Sequence, residues 1–306
     1  MRGPVGSHAM TLTSPQRLPD EALVPLVRAY ERTIAARRRQ TVLGGIILAL
    51  ATLTAALVAE VDLGRLVANF DRLPTYLARL FVFDDGALAG RSVLLDIGEW
   101  YWGIARWLRL LAETLLVAYV GTALGFIGGF TLCFFAAANV GRWPVARFLA
   151  KRYLELCRTV PEIVFALIFV IAFGLGPLPG VLAIAIHTTG ALGKLFAEVV
   201  ENADMGPVEG TTAAGGTWLE TMRFAVVPQV LPNFASYTLL RFEINVRGAS
   251  VMGFVGAGGI GQDLIEAIRK FYYADVSAIL LLIVGTVMLI DLATERLRGR
   301  LHGGQA

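Results

Sequence analysis

Long stretches without a charged side chain constrain this sequence more than any other feature. Residues 41–59 and 114–140 carry no charge, and neither does the longer run 163–193. A helix of about 20 apolar residues is enough to cross the hydrocarbon core of a bilayer. Because lipid offers no partner for backbone N–H and C=O groups, such a stretch satisfies them internally by becoming helical. The sequence therefore predicts an all-α, multi-pass membrane protein.

The breaks between the uncharged runs predict six membrane-spanning helices. The run 163–193 is too long for one span, and glycines and prolines at 174–180 favour a turn within it. The segment that starts at residue 225 has to continue past Arg241 and Glu243 to reach spanning length. The predicted spans are residues 41–61, 114–140, 158–173, 181–200, 225 to beyond 243, and 274–293.

Composition excludes most other classes of protein. The chain is 56% hydrophobic and 17% charged, whereas soluble domains carry about 25% charged residues. Disordered chains are polar and poor in aromatics, which this chain is not. Its two cysteines provide no disulfide framework and no zinc-ligand spacing. A net charge of +3 is too small to indicate a nucleic-acid partner.

The distribution of positive charge predicts the orientation. Arginine and lysine concentrate in residues 11–40, in the loop between the second and third spans, and in residues 297–306. Loops with such an excess face the cytoplasm, so both termini are predicted to be cytoplasmic. Residues 62–112 mix both signs of charge with a tryptophan cluster, which is typical of an extracytoplasmic or interfacial segment. Residues 1–10 look like a remnant of an expression vector and are set aside.

The polar loop at residues 201–228, between the fourth and fifth spans, is predicted to form a compact two-helix knob. Pro207 can lie in the first turn of a helix, and Gly215–Gly216 ends it. Thr217 can cap a second helix, with Glu220 three residues later completing a capping box. A structured knob on the cytoplasmic face of a chain with no chemistry of its own indicates docking to another protein.

The spacing of Glu209, Gly215 and Pro228 resembles the Glu-Ala-Ala loop of binding-protein-dependent ABC importer permeases. Gly210 and Thr211 stand where that family favours alanine. The resemblance implies that the knob is a coupling helix seated in a groove of an ABC ATPase subunit. The residues that it assigns to ATPase coupling are Glu209, Gly215, Gly216, Trp218, Arg223 and Pro228.

Two members of this set also have a simpler interpretation. Glu209 can be an ordinary solvated residue of a short helix, although its agreement with both the glycine and the proline spacing favours coupling. Trp218 either anchors the second short helix or forms a binding hot spot for the partner. Both interpretations of Trp218 stay open at this point.

Four further motifs resemble the permeases of phosphonate importers and extend the resemblance over residues 113–296. They are Arg-Thr-Val-Pro-Glu at 158–162, His187 with the Gly-rich run at 190–198, Leu-Pro at 231–232, and Gly-Phe-Val-Gly-Ala-Gly-Gly-Ile-Gly-Gln at 253–262. The resemblance implies a type I ABC importer permease fold in a bacterial inner membrane, working by alternating access. It also implies four partners besides the lipid bilayer: a second copy of the chain, an ABC ATPase dimer that holds ATP and Mg²⁺, an extracytoplasmic substrate-binding protein, and a phosphonate-like ligand. We expect no cofactor on this chain.

Polar side chains within the predicted spans are candidates for the cargo pathway, because such groups tend to face a bundle interior or a watery cavity. Two arginines would give the pathway a positive potential suited to an oxyanion. The simpler interpretation is ion pairing near helix ends, as between Lys194 and Glu198, and ordinary packing for the histidine. The pathway candidates are His187, Thr188, Arg241 and Arg247.

The glycines at 256–261 match the Gly-x-Gly-x-x-Gly pattern of dinucleotide sites. That pattern needs a preceding strand in a βαβ unit, which the apolar flanking sequence does not predict. We expect a gate or hinge in a re-entrant turn, where small residues let backbones approach closely. The resemblance places this turn toward the extracytoplasmic end of the pathway. The gate candidates are Gly256, Gly258, Gly259 and Gly261.

Other functions remain as alternatives. The cargo of an importer could instead be phosphate, phosphite or an amino acid. A membrane-embedded enzyme would need clustered acids or histidines, and the chain has three histidines in all. An uncoupled channel or secondary transporter has no need of a docking knob. The sequence contains no Gly-x-x-x-x-Gly-Lys phosphate loop, so we expect no catalytic site and no ATP hydrolysis by this chain itself.

Overall fold

The computed structural model describes residues 20–83 and 88–302 of the chain. Over these residues the secondary structure is helical and contains no β-sheet, apart from one isolated bridge between Val82 and Ser92. The predicted all-α class is therefore confirmed. Internal contacts divide the chain into a unit that ends at Arg72 and a unit that begins at Leu73.

The first unit is dominated by one long helix, α1 (Asp20–Val58). The part Arg28–Val58 contains an 18-residue window with a mean hydropathy of 2.3, none of which is buried. The predicted first span, 41–61, is thus the second half of a longer helix, and this helix ends at Val58 rather than at residue 61. A short helix, α2 (Leu63–Ala68), follows.

The remaining helices belong to the second unit, except that the first residue of α3 lies on the boundary. In chain order they are α3 (Arg72–Arg79), α4 (Ile97–Trp100), α5 (Ile104–Ala136), α6 (Pro144–Thr159), α7 (Glu162–Phe173), α8 (Pro177–Glu201), α9 (Met205–Ala213), α10 (Trp218–Thr221), α11 (Val227–Met252), α12 (Ile260–Arg269) and α13 (Tyr273–His302). A π-helical turn, Met222–Val226, joins α10 to α11.

The centre of this unit is formed by α5, α8 and α11. The most extensive helix–helix contact joins α5 to α8, and it depends on small residues: a Cβ added at Gly121 would lie 2.6 Å from the Ile184 side chain. Such residues let helix backbones approach closely where no hydrophobic effect drives association. Further along α8, Phe196 stacks on Phe234 of α11 with 3.9 Å between ring centroids. These contacts fix the positions of the polar side chains described below.

Several predicted helix boundaries are wrong. The second span was expected at 114–140, whereas α5 begins at Ile104 and ends at Ala136. The predicted fourth span, 181–200, corresponds to α8, which begins at Pro177, because proline is well tolerated in the first turn of a helix. As predicted, α11 continues past its charged residues.

The predicted third span, 158–173, contains a break: its first two residues end α6, and α7 begins only at Glu162. The axes of α6 and α7 differ by 86° at the break between them. Pro161 explains the break, since a proline in a helix interior removes a hydrogen bond and clashes with the preceding turn. The preceding residue, Val160, is extended (φ −79°, ψ 125°), as expected before proline.

Four helices of the described residues are long and apolar enough to cross a membrane, namely α1, α5, α8 and α13. The bent pair α6–α7 makes a fifth if it counts as one span. With 26 residues α11 has the required length, but it carries Arg241, Glu243 and Arg247. Six spans therefore stay a prediction.

Candidate functional site

The 201–228 knob contains α9 and α10 with a glycine turn between them. Asp204 caps α9 by accepting a backbone N–H of its first turn at 3.0 Å, and Pro207 lies in that turn as predicted. The helix ends close to Gly215, whose φ of +85° is a left-handed conformation that other residues rarely adopt. The N–H of Gly216 then donates to the carbonyl of Thr211 at 3.0 Å. Both glycines are therefore part of the helix end.

The capping box predicted for α10 is confirmed. The N–H of Thr217 donates to Glu220 Oε2 at 2.7 Å, and the N–H of Glu220 donates to Thr217 Oγ1 at 3.4 Å. The Thr217 hydroxyl also donates to Glu220 Oε2, at 2.7 Å. The bonds that the carboxylate accepts from the Thr217 N–H and hydroxyl hold the pKa of Glu220 below its usual value, although that carboxylate is exposed. The start of α10 is thus fixed by reciprocal side-chain contacts.

Trp218 points from α10 toward the α5–α6 connection. Its indole N–H donates to the carbonyl of Val140 at 2.9 Å. Its ring centroid lies 5.5 Å from that of Phe135 and 5.9 Å from that of Trp143. These contacts are the ones that the anchoring interpretation expects. The side chain is half-buried, and a role of its remaining surface as a binding hot spot stays a prediction.

The exposed surface of the knob carries the other residues assigned to coupling, Glu209, Arg223 and Pro228. It also exposes two large apolar side chains that the sequence analysis missed, Leu219 at 72% and Phe224 at 64%. The Arg223 guanidinium lies 5.4 Å from the centroid of the Phe224 ring. Apolar and arginine side chains together are typical of protein–protein contact surfaces. Leu219 and Phe224 could have been found from the sequence, because they are bulky apolar residues in an otherwise polar loop.

Two hydrogen bonds connect the start of α9 with the first turn of α11. The N–H of Asp204 donates to Gln229 Oε1 at 3.0 Å, and Gln229 Nε2 donates to the Asp204 carbonyl at 3.2 Å. The knob is therefore joined to α11 through these bonds as well as through the chain itself, and to the α5–α6 connection through Trp218.

The glycine motif forms a tight turn between α11 and α12. Gly256, Gly258 and Gly259 have φ values of +84°, +84° and +79°. The N–H of Gly259 donates to Glu113 Oε1 at 3.2 Å, and the next N–H donates to Thr114 Oγ1 at 2.9 Å. The turn is thus bonded to α5.

The last glycine of the motif, Gly261, packs against the end of α11: a Cβ added to it would lie 3.1 Å from the Cα of Gly253. Helices flank the motif on both sides, and residues 227–269 contain no strand, so the βαβ unit of a dinucleotide site is absent there. Close packing in a turn was expected. A gating role for these glycines stays a prediction.

Inside the bundle, Glu162 of α7, His187 of α8 and Arg241 of α11 meet in what we call the polar cluster. Arg241 Nη2 contacts His187 Nδ1 and lies 3.9 Å from Glu162 Oε2. His187 Nδ1 lies 3.7 Å from the same carboxylate oxygen. The side chains of Arg241, His187 and Glu162 are 14%, 19% and 25% exposed. The structure thus joins two of the four pathway candidates and adds Glu162, which the sequence presented only as part of a motif.

Thr188 lies in a different environment from the other pathway candidates. It is fully buried, and its hydroxyl accepts a hydrogen bond from Asn245 Nδ2 at 2.9 Å. The same amide group donates to Thr122 Oγ1 at 2.8 Å. Thr188 therefore links α5, α8 and α11 through Asn245, and its role in a pathway stays a prediction. Asn245, an amide side chain within a predicted span, was the available signal, since such residues bond across membrane helices.

Arg247 forms an ion pair, as the simpler interpretation expected. Its Nη2 atom lies 2.7 Å from Glu243 Oε1, one turn earlier on α11, so it does not join the polar cluster. The ion pair predicted between Lys194 and Glu198 also forms, at 3.6 Å. Among residues 20–83 and 88–302, no group of three or more His, Cys, Asp or Glu side chains is placed to hold a metal ion.

Comparison with known proteins identifies the class to which this bundle and knob belong. Residues 129–303 match the family described as "Binding-protein-dependent transport system inner membrane component", and the chain belongs to that family. The resemblance carried by the knob and by the later motifs is therefore confirmed. As a permease subunit, the chain is the non-catalytic membrane component, and the ATPase is a separate subunit.

Named relatives are transport permeases. The phosphite transport system permease protein PtxC of Stutzerimonas stutzeri is 42% identical over 211 residues, 69% of this chain and 75% of that protein. The phosphate-import permease protein PhnE of Mycolicibacterium smegmatis is 40% identical over 61% of this chain and 36% of its own length. The putative cryptic phosphonate transport system permease protein PhnE2 of Escherichia coli is 53% identical over 38% of this chain and 96% of its own.

A solved structure shares the fold. The MetNI methionine ABC transporter, crystallised in an inward-facing conformation, has a chain that matches 64% of this one and 95% of itself, with a TM-score of 0.56. At 20% sequence identity this likeness concerns the fold alone. The predicted type I ABC importer permease fold is confirmed.

Proposed function

We propose that this chain is the permease subunit of an ATP-driven importer for phosphonates or related phosphorus oxyanions. The names of its relatives support this cargo, since they are permeases of phosphite, phosphate and phosphonate transport systems. The knob carries the proposal for coupling, because it is a capped, braced element with an exposed face that no other described part of the chain covers.

The complete assembly that we propose contains two copies of this chain, two ATPase subunits and an extracytoplasmic binding protein. ATP and Mg²⁺ bind to the ATPase subunits and not to this chain. The chain lies in a bacterial inner membrane with six spans and both termini in the cytoplasm. Arginine-rich loops support that orientation, and the bent pair α6–α7 together with α11 would complete the six spans.

Coupling works through the connections of the knob. In the proposed cycle, ATP binding draws the two ATPase subunits together and moves the knob that is seated on them. The bonds between Asp204 and Gln229 pass the movement to α11, and the bond from Trp218 to the Val140 carbonyl passes it to the α5–α6 connection. Packed helices respond by moving as rigid bodies between two arrangements, which opens the pathway first outward and then inward.

The polar cluster gives the proposed pathway its selectivity for anions. Arg241 carries a permanent positive charge, and its planar guanidinium matches the oxygens of a phosphonate or phosphate group. His187 lies against it and adds a second polar group. An amino acid is the alternative cargo. It is less favoured because the solved methionine transporter shares only the fold with this chain.

The proposal is tested with the permease co-purified with its ATPase and reconstituted in nanodiscs. Binding protein loaded with phosphite or methylphosphonate should raise ATPase turnover several-fold over binding protein alone, and an amino acid should not. Stimulation by an amino acid only would overturn the cargo assignment.

Glu209→Arg reverses the charge on the exposed face of the knob. We expect this variant to lose the stable complex with the ATPase in co-purification, because like charges across an interface cost several kcal/mol. The matched control is Glu99→Arg, an exposed glutamate in the 62–112 segment, which should co-purify like the unmodified chain. Equal co-purification of all three proteins would rule out the assigned docking surface.

A further inference from the structure

Arg241 is a largely buried cation, with 14% of its side chain exposed, so it needs an anionic partner in every state of a transport cycle. A buried charge that loses its partner destabilises a protein by about 3–5 kcal/mol. An anion pathway empties once per cycle, and Arg241 then has no cargo to neutralise it. In the structure a carboxylate of the chain itself, Glu162, lies beside the guanidinium and fills this role.

The position of Glu162 depends on two features of the backbone. It is the first residue of α7, directly after the Pro161 break, so its side chain points from the bend between α6 and α7. Opposite it, α11 has a glycine: a Cβ added to Gly248 would collide with Glu162 Oε1. The missing side chain at Gly248 therefore creates the space in which the carboxylate lies.

The pairing of Glu162 with Arg241 is incomplete. Their closest charged atoms are 3.9 Å apart, whereas a good arginine–carboxylate pair has hydrogen bonds of about 2.7–2.9 Å. Within the described residues, the buried atoms Glu162 Oε2 and Arg241 Nε have no hydrogen-bond partner. The charge of the guanidinium is thus balanced by Glu162, but Arg241 Nε still has a hydrogen bond to donate. The three side chains of the cluster are 14% to 25% exposed, so solvent can reach them.

From this geometry we infer that Glu162 is an exchangeable placeholder anion for the cargo. In the empty pathway its carboxylate neutralises Arg241. When a phosphorus oxyanion arrives, the oxygens of the cargo replace the carboxylate at the guanidinium and at His187, and Glu162 moves aside with the start of α7. The inference rests on the proposed function and extends it by naming the group that the cargo displaces.

Competition of this kind prevents the cargo from being trapped. An arginine without a resident counter-ion would bind an oxyanion tightly in a low-dielectric site and release it slowly. With Glu162 present, release of the cargo is compensated by return of the carboxylate. The resident anion thus weakens cargo binding and speeds cargo release.

The test measures binding of radiolabelled phosphite and methylphosphonate to the nucleotide-free permease–ATPase complex in nanodiscs, without binding protein. Glu162→Gln removes the competing charge and keeps the side-chain shape. We expect binding about tenfold tighter, which corresponds to about 1.4 kcal/mol of lost competition, together with slower uptake in proteoliposomes. Glu198→Gln, which breaks an exposed ion pair elsewhere, is the matched control and should bind like the unmodified complex.

A second variant tests the same idea without removing the carboxylate. Gly248→Ala places a methyl group where Glu162 Oε1 lies and should push the carboxylate away from Arg241, so it should also tighten oxyanion binding. Monodisperse gel filtration and a cooperative thermal transition identify folded variants. The midpoint of Glu162→Gln should fall, because Arg241 then lacks its anion.

The outcomes separate the two proposals. If loaded binding protein stimulates the unmodified complex but both variants bind oxyanions like the control or more weakly, the placeholder role is overturned and the importer assignment stands. If phosphorus oxyanions fail to stimulate the unmodified complex, both are overturned.

Discussion

The knob and the polar cluster satisfy their polar groups in different ways. In the knob, the caps of α9 and α10, the turn at Gly216 and the Trp218 indole all have hydrogen-bond partners within the chain. In the polar cluster, two buried atoms of charged side chains lack such partners among the described residues. The named polar groups of the knob are thus paired, whereas the polar cluster keeps hydrogen-bonding groups without a partner.

This difference matches the tasks that we propose for the two regions. An element that passes movement from a partner must be rigid, because a bond that yields would absorb the displacement. A group that binds and releases an ion must exchange partners at low cost, so its resident contacts have to be weaker than ideal. The structure places the strong bonds where force would pass and the incomplete pair where an anion would pass.

The largest expected effect comes from removing the charge of the polar cluster. Arg241→Gln leaves Glu162 buried without its cation and should lower the free energy of unfolding by about 3 kcal/mol, with uptake reduced at least about a hundredfold. In the double variant Glu162→Gln/Arg241→Gln no charge is left unpaired, so thermal stability should return while uptake does not. Thermal denaturation and proteoliposome uptake measure the two quantities. Recovery of uptake in the double variant would contradict an anion-binding role for Arg241.

An intermediate effect is expected from loosening the knob. Trp218→Ala removes the bond to the Val140 carbonyl and the aromatic contacts, which together contribute about 2 kcal/mol. The complex with the ATPase should still form, while uptake per ATP hydrolysed falls about tenfold because movement is no longer transmitted. Trp218→Phe keeps most of the packing and should fall in between. A complex that fails to form in Trp218→Ala would instead support the hot-spot interpretation.

The smallest effect concerns the pH dependence of the knob. The pKa of Glu220 is lowered by hydrogen bonds from Thr217, so its stabilising contribution is complete above the unfolded-state pKa of about 4.3. It is lost as the pH falls through the lower pKa of the folded state. After correction for the intrinsic exchange rate, the backbone amides of α10 should therefore be protected equally at pH 8 and pH 6. They should lose protection against hydrogen exchange only below about pH 4.

Glu220→Gln provides the control for this effect. The amide oxygen can still accept the Thr217 N–H, but it does not titrate, so the loss of protection at low pH should disappear. A loss of the same size in Glu220→Gln would assign the pH dependence to another group.

Local patterns in the sequence predicted the knob well. Pro207, the paired glycines and the Thr217–Glu220 box specify helix starts and ends through contacts within a few residues. The break at Pro161 is missing from the sequence prediction, which runs the third span from residue 158 straight through it, whereas the proline ends one helix and α7 begins at Glu162. The direction of Trp218 was left open, since its partners lie in the distant α5–α6 connection.

By itself, the sequence determined that this protein is an all-helical membrane protein with a capped two-helix knob, because hydrophobic length and capping chemistry act over short distances along the chain, and its motifs indicated the permease family. Only the tertiary structure decided which polar groups meet. Glu162, His187 and Arg241 come from three helices, and Asn245 with Thr188 and Thr122 from a different combination of helices. Helix periodicity predicts on which side of its helix a residue lies. Which helix packs against that side depends on how closely the glycines of α5 let the helices approach.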